Sequence, residues 1–159
     1  MSALALPDSW DRAGLEGVGF SGFVTFAEIP DVDVPPRPGI YVVLRTATTA
    51  PEILDSTVAR AGSLYGLADL QGRWIMGTPV VYIGKADAKA GGLRTRLRQY
   101  ARRGSSHQGG RSIWQLADHA ELLVAWVETP GEIAEDVEIR YRAAFADRFG
   151  GWPFANRRR

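Results

Sequence analysis

The chain has no cysteine and only two histidines, His107 and His119, among its 159 residues. The first absence excludes a disulfide scaffold, a thiolate zinc or iron–sulfur site and a cysteine nucleophile. The second leaves little for a histidine-based metal centre. No run approaches 18 apolar residues, so no membrane-spanning helix is expected. The apolar segment 1–6 carries no basic residue and runs into Pro7-Asp8. That is a poor secretory signal, so a cytoplasmic location is expected. A P-loop pattern, a GxGxxG after a strand and a GxSxG elbow are all missing, which removes support for nucleotide-cofactor enzymes and serine hydrolases.

What is present is an ordinary globular balance, 45% hydrophobic and 23% charged. The length predicts one domain, burying roughly two-thirds of the surface of the unfolded chain. Net charge is only +1, but it is unevenly spread. Residues 1–81 carry five basic and nine acidic side chains, and residues 82–159 carry fourteen and nine. Between 85 and 111 stand Lys85, Lys89, Arg94, Arg96, Arg98, Arg102, Arg103 and Arg111 against Asp87 alone. The chain closes on Arg157-Arg158-Arg159. A basic cluster without interspersed acids is the footprint of a polyanion binder. The acidic first half, residues 1–81, is a candidate surface for a protein partner.

Residues 40–44, 80–83 and 122–127 are β-branched and aromatic runs and read as strands. Phe20, Phe23 and Phe26 mark an earlier extended segment with imperfect alternation. Residues 51–61 read as a short helix with Pro51 in its first turn. Residues 93–102 form a basic helix with Leu93, Leu97 and Tyr100 on one stripe. Residues 112–119 read as a further helix, and 132–149 as a long one ended by Gly150-Gly151. The fold class expected is α+β, a small three-stranded antiparallel sheet flanked by helices.

Two strands carry related tripeptides, Gly39-Ile40-Tyr41 and Tyr82-Ile83-Gly84. Lys85 follows the second, Arg96 and Tyr100 lie on the basic helix, Glu138 lies in the long helix, and Asn156 follows Trp152-Pro153. In this order and spacing the chain resembles the GIY-YIG nucleases. The segment Tyr82-Ile83-Gly84-Lys85-Ala86, followed by Leu93-Arg94-Thr95-Arg96-Leu97-Arg98-Gln99-Tyr100, is most similar to the N-terminal nuclease domain of the excision-repair endonuclease UvrC. The resemblance covers about residues 38–156.

The resemblance implies a Mg²⁺-dependent (or Mn²⁺-dependent) endonuclease that hydrolyses phosphodiester bonds in DNA. Tyr41 and Tyr82 would position or deprotonate the attacking water, and which of them acts as base stays open. A free phenol titrates near 10, so a base needs a lowered pKa, which Lys85 could supply. Arg96 would grip the scissile phosphate and stabilise its added charge. Tyr100 would bond at the same phosphate, Glu138 would hold the single metal ion, and Asn156 would pack beside the centre. Arg94 competes with Arg96, and Glu135 with Glu138; the leucine after Arg96 and the aromatic Tyr141 three residues past Glu138 favour Arg96 and Glu138. Lys89, Arg94, Arg98, Arg102, Arg103, His107 and Arg111 would bind the nucleic-acid backbone.

The chain also departs from the family pattern. The tripeptide tyrosines stand 41 residues apart, so about 46–79 is an insertion. Residues 1–37 match nothing in the family and are set apart as an N-terminal extension preceding a nuclease-like domain over 38–159. No separate recognition module is visible. Two rival readings remain: a nuclease-like module that binds nucleic acid without cutting it, and an RNA-directed nuclease.

Overall fold

A computed structural model of the chain describes residues 3–59, 64–103 and 109–157. Among these residues four α-helices and four strands follow in the order α1 (Arg12–Gly17), β1 (Ser21–Thr25), β2 (Gly39–Leu44), α2 (Leu67–Arg73), β3 (Val80–Ala86), α3 (Gly92–Ala101), β4 (Leu123–Glu128) and α4 (Ala134–Phe149). The strands form one antiparallel sheet, ordered β1-β4-β2-β3. The α+β class is as expected, with four strands instead of three.

The fourth strand is the early segment, and its imperfect alternation has a cause. Between Gly22 and Val24 the pairing with β4 shifts by one residue, and Phe23 sits at φ +57°. This bulge turns Phe23 to the same core as Phe20, while Phe26 joins the opposite one. β2 is buried along its whole length, as a central strand must be. Alternation along β2 sends Tyr41 and Val43 to one face and Ile40, Val42 and Leu44 to the other. On the first face lie Leu93, Leu97 and Tyr100 of α3; on the second lie Val137, Tyr141 and Phe145 of α4.

Residues ahead of β2 contribute to both cores. Trp10, Leu15, Phe20 and Phe23 pack with α4, and Phe26 and Ile29 with α3. The Tyr141 hydroxyl donates to the Ala5 carbonyl, and Arg140 to the Leu4 carbonyl at 2.8 Å.

Two helix expectations are corrected. Residues 51–59 are not helical: the Leu54 amide donates to the Gln115 carbonyl (2.6 Å), the Ala117 amide to the Glu52 carbonyl (2.9 Å), and Ile53 forms a β-bridge with Leu116. Residues 60 and 61 lie outside the described residues. The same long-range bonds spend backbone groups that an α-helix over 112–119 would need. That region holds two short 3-10 turns, Arg111–Gln115 and His119–Glu121. Buried Gln115 pins the insertion further, accepting from the Tyr65 amide (3.0 Å) and donating to the carbonyls of Leu54 (3.1 Å) and Tyr65 (3.0 Å). β3 also runs two residues past the expected stop at Gly84, pairing Lys85 with Ile40 and Ala86 with Gly39.

Candidate active site

Gly84 pairs with Tyr41 across β2 and β3, and its lack of a side chain shapes the site. A Cβ there would stand 2.5 Å from Tyr41 Cζ and 2.6 Å from its hydroxyl oxygen, so the Tyr41 phenol lies directly over this glycine. Gly39 serves the other tripeptide in the same way, with a Cβ only 2.2 Å from the Val127 carbonyl. The two glycines therefore let the strands close and the phenol fold down between them.

Tyr41, Tyr82 and Tyr100 form a cluster with ring centroids 5.8 to 6.1 Å apart. Arg96 hydrogen-bonds to Tyr41, and Tyr41 in turn to Tyr82. Tyr100 donates to the Gly110 carbonyl at 2.7 Å. A cleft of about 340 Å³ opens above the pair. It is lined by Tyr41, Tyr82, Lys85, Arg96, Glu138 and Asn156, and also by Tyr65, Gly109, Arg142 and Arg157. Six of the seven expected catalytic residues thus share one cleft, drawn from β2, β3, α3, α4 and the tail. Tyr100 lies beneath it. Glu138 is buried and lines the cleft, whereas Glu135 is half-exposed and does not.

Asn156 acts on the backbone. Its amide group accepts from the Ile83 N–H (2.9 Å) and donates to the Ile83 carbonyl (2.8 Å), while the Ala155 amide donates to the Val81 carbonyl (2.8 Å). β3 is an edge strand, so the tail covers its outer hydrogen-bonding groups and fixes the residue that follows Tyr82. Replacing Asn156 by leucine leaves both Ile83 groups unmatched and should cost about 3 kcal/mol. Urea unfolding of the variant beside the parent measures this; an unchanged midpoint would refute the clamp.

The electrostatics correct one expectation. Burial drives the Tyr41 and Tyr100 phenols well above 10, and pushes Tyr82 up to about 12. Glu138 adds to the rise at Tyr82, and Arg96 opposes it. The cations acting on the phenols are Arg96 and, at Tyr82, also Arg142, whereas the Lys85 ammonium is paired with Asp87.

The sign of the pH effect follows. An unfolded tyrosine loses its proton near 10, whereas folded Tyr82 keeps it to about 12. Its contribution to stability is complete below about pH 10 and is lost as pH rises towards 12, by about 3 kcal/mol in all. Urea midpoints should match from neutrality to about pH 9 and fall by about pH 11, with the phenolate absorbance of the buried tyrosines rising only on unfolding. Phenolate absorbance from these buried tyrosines in still-folded protein below pH 10 would contradict the burial.

The remaining basic residues are spread more widely. Arg94 is held by the Val34 carbonyl (2.8 Å) and Asp33 (3.0 Å), tying α3 to the segment before β2. Lys89, Arg98 and Arg102 are exposed, and Arg103 is half-buried just past the end of α3. Arg111 stacks on the Tyr65 ring at 4.5 Å, and Arg157 covers the same ring at 3.7 Å while pairing with Asp69 at 3.0 Å. His107 lies outside the described residues. Arg142 and Tyr65 were not expected at the site. Arg142 stands four residues after Glu138, a spacing that places both on one side of a helix; Tyr65 sits in the insertion and carries no sequence signal.

Comparison with protein-family models, with curated proteins and with solved structures finds no match to this chain.

The donor set decides which metal could fit. Among the described residues no three His, Asp or Glu side chains come together as a metal cage. Glu138 offers a hard carboxylate in a polar cleft. A cation held there must complete its shell with water and substrate oxygens, as Mg²⁺ and Mn²⁺ do. No helix among the described residues is long and apolar enough to cross a membrane.

Proposed function

We propose that this chain is a GIY-YIG-like endonuclease that hydrolyses phosphodiester bonds in DNA with Mg²⁺ or Mn²⁺. The observation that carries the reading is the cleft itself: two hydrogen-bonded phenols, a guanidinium on the first of them, and a buried carboxylate on one wall. The cationic walls, Lys85, Arg96, Arg142 and Arg157, suit a polyanionic substrate.

Each residue then has a task. The phenols of Tyr41 and Tyr82 keep their protons at neutral pH and orient the attacking water by hydrogen bonds. Arg96 opposes charge building on the phosphate, and its bond to Tyr41 aligns the two. Glu138 would hold the divalent ion, which when bound polarises a phosphoryl oxygen and eases deprotonation of water. Asn156 and Gly84 fix β3 and the Tyr41 ring. Tyr100 braces the phenol pair from below through Gly110.

Incubation of the protein with supercoiled plasmid, with and without Mg²⁺, tests this, alongside Glu138→Gln. Nicking that needs the metal and disappears in the variant supports the reading. Protein that shifts DNA in a gel but cuts no supercoiled, linear, single-stranded or branched form overturns it in favour of a binding module. Cleavage of RNA alone would overturn the substrate assignment.

A further inference from the structure

Glu138 is not an open ligand. One Arg142 Nη lies 3.4 Å from a Glu138 carboxylate oxygen, and both side chains are at least nine-tenths buried. The guanidinium stacks over Trp152 at 4.6 Å, and its Nε is buried with no hydrogen-bond partner among the described residues. Arg142 lines the polar cleft with a guanidinium whose buried Nε lacks an acceptor, so an anion entering the cleft offers what this donor lacks once the side chain turns. Four cationic side chains and one carboxylate line the cleft it faces; Lys85 and Arg157 are paired with Asp87 and Asp69, so Arg96 and Arg142 set the field against Glu138. A divalent cation entering alone therefore meets repulsion, and its one ligand is already engaged.

We propose that Arg142 holds the Glu138 carboxylate in reserve, releasing it only when a divalent cation and a nucleic-acid phosphate arrive together, so that the two ligands bind cooperatively. The phosphate supplies the anion that Arg142 gives up, and the cation supplies the charge that Glu138 gives up. Stacking on Trp152 keeps the guanidinium at the cleft wall during the exchange. Arg142 is thus a positioning residue that couples two binding events. This rests on the reading of Glu138 as the cation ligand.

The test measures binding, without turnover. Mn²⁺ is titrated into the protein at about pH 8, well above the ordinary carboxylate range, and free ion is followed by its electron paramagnetic resonance. Each titration is run with and without a short DNA duplex of uncleavable phosphorothioate backbone. In the parent, the duplex should tighten Mn²⁺ binding by about tenfold or more, a coupling of ordinary size. Arg142→Met should bind Mn²⁺ alone about tenfold more tightly than the parent and lose most of the gain from the duplex. Arg142→Lys, which keeps the charge, should stay close to the parent, and Arg142→Gln repeats the test should the methionine variant fail to fold. Equal Mn²⁺ affinity in the parent with and without duplex overturns the proposal, needing no variant. Unchanged coupling in Arg142→Met, with Mn²⁺ binding abolished in Glu138→Gln, overturns it while leaving Glu138 as the ligand. Undiminished Mn²⁺ binding in Glu138→Gln overturns both the reserve and the metal assignment.

Discussion

Replacing Arg96 by alanine should lower plasmid nicking by about 10²–10³-fold, the usual cost of removing one donor that stabilises developing charge. Arg96 is half-exposed on α3, so the loss should come without unfolding. Its guanidinium is committed to the site at its inner end, through Tyr41, and bonds weakly to Gln99 at 3.4 Å. Lysine at this position keeps a positive charge but lacks the planar fork that can hold a phenol and a phosphate at once. Arg96→Lys should therefore recover only part of the rate. Single-turnover nicking, with circular dichroism to confirm folding, checks both. Full activity in Arg96→Ala would remove Arg96 from the site and return Arg94 to consideration.

The second large effect is expected at Gly84. Alanine there places a methyl carbon 2.5 Å from Tyr41 Cζ and 2.7 Å from a Tyr82 ring carbon, well inside contact distance. The obstacle is two rings packed in a full core, so neither can step aside cheaply. Gly84→Ala should destabilise the fold by about 1–3 kcal/mol. It should also depress nicking far more than that loss of stability explains, because the displaced ring is the one that Arg96 holds. The discriminating comparison is Gly72→Ala, where a Cβ meets nothing within 4 Å. That variant should match the parent in rate and be no less stable, since Gly72 lies in α2, where alanine is favoured over glycine. A Gly84→Ala protein with parental Tm and activity would show that the Tyr41 ring is not fixed by this contact.

Sequence patterns revealed the elements in which local preference and tertiary demand agree. The runs at 40–44, 80–83 and 122–127 are strands, and the apolar stripes at 93–102 and 132–149 are helices, because each is periodic and buried on the matching face. The errors fall where long-range bonds override local preference. Pro51 offers a good first helical turn, yet Glu52 and Leu54 spend their backbone groups on residues 115–117. Phe23 broke the alternation of β1 because a bulge adds a residue that no pattern counts. The candidate site divides in the same way. Tyr41, Tyr82, Lys85, Arg96, Glu138 and Asn156 could be singled out because order and spacing marked them. Arg142 could not, since an arginine four residues after a glutamate reads as an ordinary solvent-facing helix pair. The effect of Lys85 on the phenols was misjudged because adjacency in sequence says nothing about burial or about the pull of Asp87.

The tail bonded along the outer edge of β3 has a consequence for how this chain can vary. Val81 and Ile83 are bonded by Ala155 and Asn156, so two residues of the tail do the work of a fifth strand. An uncovered edge invites pairing with other chains, and the same strand carries Tyr82 into the cleft. A change at Asn156 is therefore penalised twice, once as self-association and once as a misplaced phenol. Drift at this position is closed off by two pressures, whereas exposed Arg98 of α3 can be exchanged for lysine without disturbing either.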